Sequence, residues 1–212
     1  MEGPVRGGRF AAALRRFDEE NGKDPQRELL DGAEHGREFV YARWLSEWVL
    51  KLCPQASEAL QLAARSQHIC RWTIPRSAYP ATRQGYLRWR EALKRFHAEK
   101  SGEILREVGY PDELVKRVQA LNLKWNFPAD PESRVLEDAL CLLFLERQFG
   151  ALIPKTAESK LVGILQKTWK KMTPGGRILA RELPYSSEER NLLQKALGEA
   201  GQGTAGDSGN PR

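Results

Sequence analysis

The stretch Val135-Leu-Glu-Asp-Ala-Leu-Cys-Leu-Leu-Phe-Leu-Glu146 decides the fold. It is apolar almost all round when wound as a helix, so it belongs at the centre of a packed domain rather than on its surface. It is far shorter than the roughly 18 apolar residues that a membrane helix needs. Asp130-Pro131 precedes it, with proline at the first helical position, and the helix is expected to run to Gln148. Glu137 and Asp138 are the two polar exceptions inside it, and Asp138 lines up with Val135, Leu142 and Leu145.

Helical periodicity extends outward from that centre. Phe10 to Glu20 places Phe10, Ala13, Leu14 and Phe17 on one face and stops at Asn21-Gly22. Lys23 to Gly36, polar and interrupted by Pro25 and Gly32, is expected to be a loop. Arg37 to Leu52 is a second helix, with Tyr41, Ala42, Leu45, Trp48 and Val49 inward. Ser57 and Glu58 open a third, expected to reach about Trp72, followed by a loop with Pro75 and Pro80 that no helix interior tolerates. Thr82 to Val108 is a long helix ended by Gly109, and Asp112 to Leu123 a short one. Ala157 to Met172 follows the central helix. Thr173-Pro174-Gly175-Gly176 breaks the chain, and one or two short helices carry it to Leu197. No strand shows convincing alternation. The expectation is an all-α fold, a single helical bundle over residues 9–197, with a flexible start (1–8) and a disordered tail (198–212).

The 212 residues include 41% apolar and 29% charged side chains, enough to bury a core. Cys53, Cys70 and Cys141 are too few and too scattered for a disulfide framework or a CxxC metal site, which suits a reducing compartment. Arg6, Arg9, Arg15 and Arg16 near an alanine run resemble a mitochondrial presequence, but Glu2 and Asp18 to Glu20 argue against one; the cytoplasm is the expected location. The net charge is +6. Nine Lys/Arg against four Glu lie between Ala151 and Gly198, a balance of +5 in the last quarter. That face suits nucleic-acid phosphate or an acidic partner, or is an ordinary solvated surface. No membrane partner is expected, and the oligomeric state is not legible.

Ionisable groups on apolar stripes carry the functional signal, because burying them is costly unless they are paired or bound. Glu38 lies in line with Tyr41, Ala42 and Leu45. His68 lines up with Leu60, Ala64 and Trp72, with Gln67 beside it. His97 lines up with Leu93, Ser101 and Ile104. Two imidazoles and two carboxylates on four helices suit one divalent transition metal (Mn, Fe, Co, Ni or Zn), with His68, His97, Asp138 and Glu38 as ligands. Structural alternatives stand beside this: a satisfied core histidine, a carboxylate favouring a helix dipole, an acid paired with arginine. Arg71, one turn after His68, Arg76 in the proline-bounded loop, and Arg90, about 10 Å before His97 along the helix axis, are candidate phosphate ligands. Trp72, Tyr79, Tyr86 and Trp89 either stack a base or fill space between helices. No nucleophile elbow, P-loop or dinucleotide fingerprint is present, and no organic cofactor is expected.

Three segments, "LAARSQHI" (62–69), "HAEKSGEILREVGYPDELVKRVQAL" (97–121) and "VLEDALCLLFLE" (135–146), resemble the HD-domain superfamily of helical metal-dependent phosphohydrolases over roughly residues 35 to 150. The resemblance implies that Asp138 matches the family's late Asp and His97 its additional His. Gln67 stands at the paired His, His68 at the paired Asp, and Glu38 near the first His. The metal dyad is therefore not the family's own: either the site is rearranged around His68 or the scaffold is degenerate. At a closer level, "SEALQLAARSQHICRWTIPRSAYP" (57–80), "GYLRWR" (85–90), "VLEDALCLLFLE" and "ILQKTWKKM" (164–172) are similar to the domain-of-unknown-function family 4202.

Two functions follow as expectations. The first is metal-dependent hydrolysis of a phosphorylated small molecule or nucleotide, with Glu137 or Glu38 accepting the proton and Arg71, Arg76 and Arg90 holding the phosphate. The second is a non-catalytic module, binding a nucleotide or RNA, or serving as a protein-interaction scaffold.

Overall fold

The computed structural model describes residues 3–198, with side chains from Gly8 onward. Beyond Gly198, the tail expected at 198–212 lies outside the described residues. The fold is all-α apart from one small hairpin. The backbone groups into two compact units, residues 1–140 and 141–212.

The first unit holds helices α1 (Gly3–Gly22), α2 (Arg37–Leu52), α3 (Glu58–Ser66), α4 (Arg83–Glu107), α5 (Asp112–Leu123) and the start of α6 (Pro131–Arg147). Its centre is α3, whose Ala59, Ala63 and Ala64 are buried and let α2 and α5 approach closely. Around it lie Phe17, Leu45, Val49, Leu60, Ile104, Leu105, Val118 and Leu121, all essentially without solvent contact. Full burial of such side chains contributes about 1.5–3 kcal/mol each before entropy is counted. Arg65 shares the buried face of α3 because Asp18 of α1 accepts from its Nε at 2.6 Å and its Nη2 at 2.7 Å. Asn122 of α5 donates to Ser66 Oγ at 3.1 Å and Ser101 Oγ at 3.3 Å, a buried polar contact joining three helices.

Residues 23–36 are not the expected loop. Arg27–Leu30 (β1) and Ala33–Gly36 (β2) pair antiparallel, Arg27 opposite Gly36 and Leu30 opposite Ala33. Asp31 and Gly32 turn the chain with φ of 51° and 81°. An Asp-Gly pair with both residues left-handed is the preferred two-residue hairpin turn. The strands have four residues each and little apolar alternation, so periodicity alone does not reveal them.

Helix α3 also stops earlier than expected, at Ser66 rather than Trp72. Beyond Ser66 the chain turns away, and Cys70 takes φ 52° with its N–H on Asn21 Oδ1 at 3.1 Å. No glycine or proline marks that break until Pro75.

In the second unit, 3-10 turns over Gly150–Lys155 precede α7 (Glu158–Lys171), α8 (Pro174–Arg181) and α9 (Ser187–Leu197). Leu161 and Leu165 of α7 are buried, and α7 packs on α9 through Leu192, Leu193 and Ala196. Thr173 caps α8, with Pro174 at its first position, and Ser186 with Glu189 forms a capping box on α9.

Candidate functional site

Three of the residues singled out from the sequence meet in the first unit. Glu38 lies in the first turn of α2. That turn is anchored by Asp24, whose Oδ2 accepts from the Glu38 N–H at 3.1 Å, while Arg37 N–H donates to the Gln26 carbonyl at 2.8 Å. The approach at Gly36 is so close that a Cβ there would fall 2.5 Å from the Asn21 carbonyl oxygen. The hairpin and α1 together therefore set where Glu38 points.

His68 sits on the turn after α3, and its Nδ1 lies 3.5 Å from Glu38 Oε2. The side chains are 20% and 12% exposed, so the pair is largely enclosed. Tyr41 stacks on the His68 ring with centroids 4.4 Å apart. His97, from α4, is 3% exposed, and its ring lies 5.7 Å from that of His68. His97 is hydrogen-bonded to the backbone of Gln67 while its Nε2 is buried without a partner. The role of Gln67 is thus played by its backbone; its side-chain Oε1 is buried without a partner.

Cations dominate the surroundings. Arg71 Nη1 lies 3.3 Å from Nε2 and 3.5 Å from Nδ1 of His68, nearly equal distances that put the guanidinium against the ring rather than on one lone pair. Its Cζ is also 5.2 Å from the Trp89 ring centroid. Burial holds His68 well below the usual histidine range, and the charges of Arg71, Arg90, Lys124 and Arg37 hold it lower still. Burial likewise holds His97 down, with His68 and Arg71 adding and the Gln67 backbone opposing. Burial pushes the Glu38 carboxyl up to about 7 against the pull of Arg71 and Arg37. The Glu38–His68 contact is therefore between a carboxyl titrating near neutrality and an uncharged imidazole, not a charged pair.

The remaining expected residues are placed differently. Arg76 donates to the carbonyls of Tyr79 and Pro80, both at 2.8 Å, and clamps its own loop. Arg90 is exposed and donates to Tyr86 Oη at 3.4 Å, with its charge acting on both imidazoles. Glu137 is buried on α6 and ion-paired with Lys124, which the sequence reading did not single out. Lys124 occupies a left-handed position (φ 59°) at the end of α5, a geometry that no motif announces. Asp138 is buried on the same helix. Trp89 packs, with Nε1 donating to the Ile74 carbonyl at 2.9 Å, whereas Tyr86 is exposed.

Among the described residues, no three His, Cys, Asp or Glu side chains are grouped so as to hold a metal ion. A divalent cation at His68 would also meet the charge of Arg71 against the ring. As arranged, Glu38, His68, His97 and Asp138 do not fit the single transition metal expected from the sequence. The Arg71 guanidinium at His68 offers charge-assisted donors to an anion instead, with the Glu38 carboxyl able to exchange a proton beside it.

Residues 11–193 match the model of one protein family, the domain of unknown function DUF4202. The chain belongs to that family. No curated protein and no solved structure matches it. The DUF4202 match takes in every residue of the site described above. Among the described residues, no helix of this DUF4202 chain is long and apolar enough to cross a membrane.

Proposed function

We propose that the cluster of Arg71, His68 and Glu38 binds the phosphate group of a phosphorylated small molecule or nucleotide. The observation that carries the reading is the Arg71 guanidinium, 3.3 Å from His68 Nε2 beside the Glu38–His68 contact, with the charges of Arg90 and Arg37 also acting on that imidazole. Like charges brought together repel, and a dianion among them relieves that repulsion while accepting charge-assisted hydrogen bonds. The HD-domain resemblance over roughly residues 35 to 150 supports the same ligand chemistry by analogy.

Titration calorimetry with inorganic phosphate and with AMP tests it. Arg71→Ala and Arg90→Ala each weaken binding by roughly 10- to 100-fold, the range for hydrogen bonds to charged groups. Arg76→Ala, whose guanidinium is committed to its own loop, leaves the affinity unchanged. No binding at millimolar concentration, or equal loss in all three variants, defeats the proposal.

The catalytic form of the reading rests on Glu38. A carboxyl titrating near 7 next to an imidazole is matched to proton transfer at neutral pH. It would serve hydrolysis of the bound phosphate ester, with Glu137 held in its ion pair and so unsuited to the same task. Glu38→Gln then binds AMP as the wild type does but releases no phosphate from it. The metal-dependent variant is favoured by one observation, the unpartnered Nε2 of His97. It requires Arg71 to leave His68, and elemental analysis for Mn, Fe, Co, Ni and Zn in untagged protein decides it: about one ion per chain supports it and none removes it.

A further inference from the structure

The exposed face of α7, in the second unit, carries a feature that the His68 cluster does not use. Lys160, Lys167, Lys170 and Lys171 all lie on the solvent side of that helix, away from buried Leu161 and Leu165. The spacing of Lys160, Gly163, Lys167 and Lys170 is i, i+3, i+7 and i+10, which places them along one stripe. The stripe holds no carboxylate. Glu158, the one acidic residue of α7, is turned aside and accepts from Lys195 of α9 at 2.8 Å. The favourable interaction of cations with a helix C-terminus accounts for Lys170 and Lys171, in the last turn, but not for Lys160 or Lys167.

Gly163 is the second, independent observation. It sits in the middle of α7 between Lys160 and Lys167, where glycine weakens a helix relative to alanine. A Cβ built there meets nothing within 4 Å, so no packing within the chain demands glycine. A bare backbone position flanked by two lysines, one turn to either side, leaves room for a partner's own backbone to approach closely. The basic surface continues past the end of α7. Arg177 Nε donates to the Trp169 carbonyl at 3.0 Å, and Arg181 lies over the Trp169 ring at 5.3 Å.

We infer that this face of α7 binds the sugar–phosphate backbone of a nucleic acid, without reading its sequence. A membrane surface needs apolar side chains beside the lysines, and the apolar side of α7 is spent on α9. A protein partner needs a large apolar or aromatic anchor, and α7 exposes none. Ile178, on α8, is the exposed large hydrophobic residue of this unit among the described residues.

The test is fluorescence anisotropy of the full chain with a labelled 20-base-pair RNA duplex over a salt series. The three lysines of the stripe, each on a phosphate, predict a slope of log affinity against log salt of roughly −2 to −3. Replacing Lys160 and Lys167 together by Gln lowers affinity at least tenfold at low salt and flattens the slope by about 1.5 to 2. Gly163→Ala raises the unfolding temperature yet weakens RNA binding, a combination that misfolding cannot produce. Arg71→Ala, in the other unit, leaves RNA binding intact, which separates this surface from the Arg71–His68 cluster. A flat salt response overturns the inference, as does Gly163→Ala binding with unchanged affinity. Equal, Lys160/Lys167-dependent binding to poly-glutamate or to phosphatidylserine vesicles at matched salt also overturns it.

Discussion

Glu38→Gln tests the electrostatics of the His68 cluster most directly. In the unfolded chain this carboxyl titrates at its ordinary value of 4.5, and in the fold burial raises it to about 7. Below pH 4.5 it is protonated in both states and costs nothing. As pH rises from 4.5 to 7 the unfolded chain gives up the proton first, so stability falls; above 7 the whole cost is present. A shift of that size is worth roughly 3 kcal/mol, at 1.36 kcal/mol per pH unit. The side chain is only 12% exposed, so little of this is screened away.

The wild-type profile alone does not isolate the effect. His68 and His97 are held uncharged, and the unfolded chain takes up their protons as pH falls, which lowers stability in the opposite direction. Glutamine mimics the protonated acid, so the difference between variant and wild type reports Glu38. Urea unfolding followed by tryptophan fluorescence, at steps from about pH 4.5 to 8.5, gives that difference. The variant is expected to match the wild type at the acid end and to exceed it by about 3 kcal/mol at the alkaline end. A difference independent of pH would refute the reasoning. So would a wild type that becomes the more stable protein above pH 7, because Glu38 would then be a stabilising anion paired with Arg71 or a charged His68.

Other outcomes follow from the same structure. Lys124→Met withdraws the ammonium beside buried Glu137 and lowers unfolding free energy by about 3 kcal/mol in urea; adding Glu137→Gln restores most of it. Arg65→Met leaves Asp18 without its bidentate partner in the packing of α1 on α3, a loss of about 2–3 kcal/mol by the same measurement. Gly32→Ala costs about 1 kcal/mol, because φ of 81° is strained for any side chain although the space is open. Gly36→Ala costs more, because there the chain itself is in the way, and a thermal melt of the two variants separates the cases.

The long helices were legible because burial imposes a 3.6-residue period on their side chains, and their ends are written in local chemistry. Thr82, Gly109, Asp130-Pro131 and Thr173-Pro174 each act within one turn of where they stand. The two corrections came where a signal was short or lay elsewhere in the chain. Asp31-Gly32 marked the hairpin, but four-residue strands carry too few side chains to show alternation. The end of α3 depends on Asn21, which lies 49 residues before Cys70.

The sequence by itself determined the helical class, and it offered Glu38, His68 and His97 as ionisable groups on apolar faces, because patterning and caps are local. Only the tertiary structure decided which groups face one another. It set Arg71 against His68, committed Arg76 to its own loop, brought Lys124 to Glu137, and left the four proposed metal donors without a metal geometry among the described residues. Electrostatic energy depends on distances between side chains remote in the chain, and those distances exist only after the helices have packed.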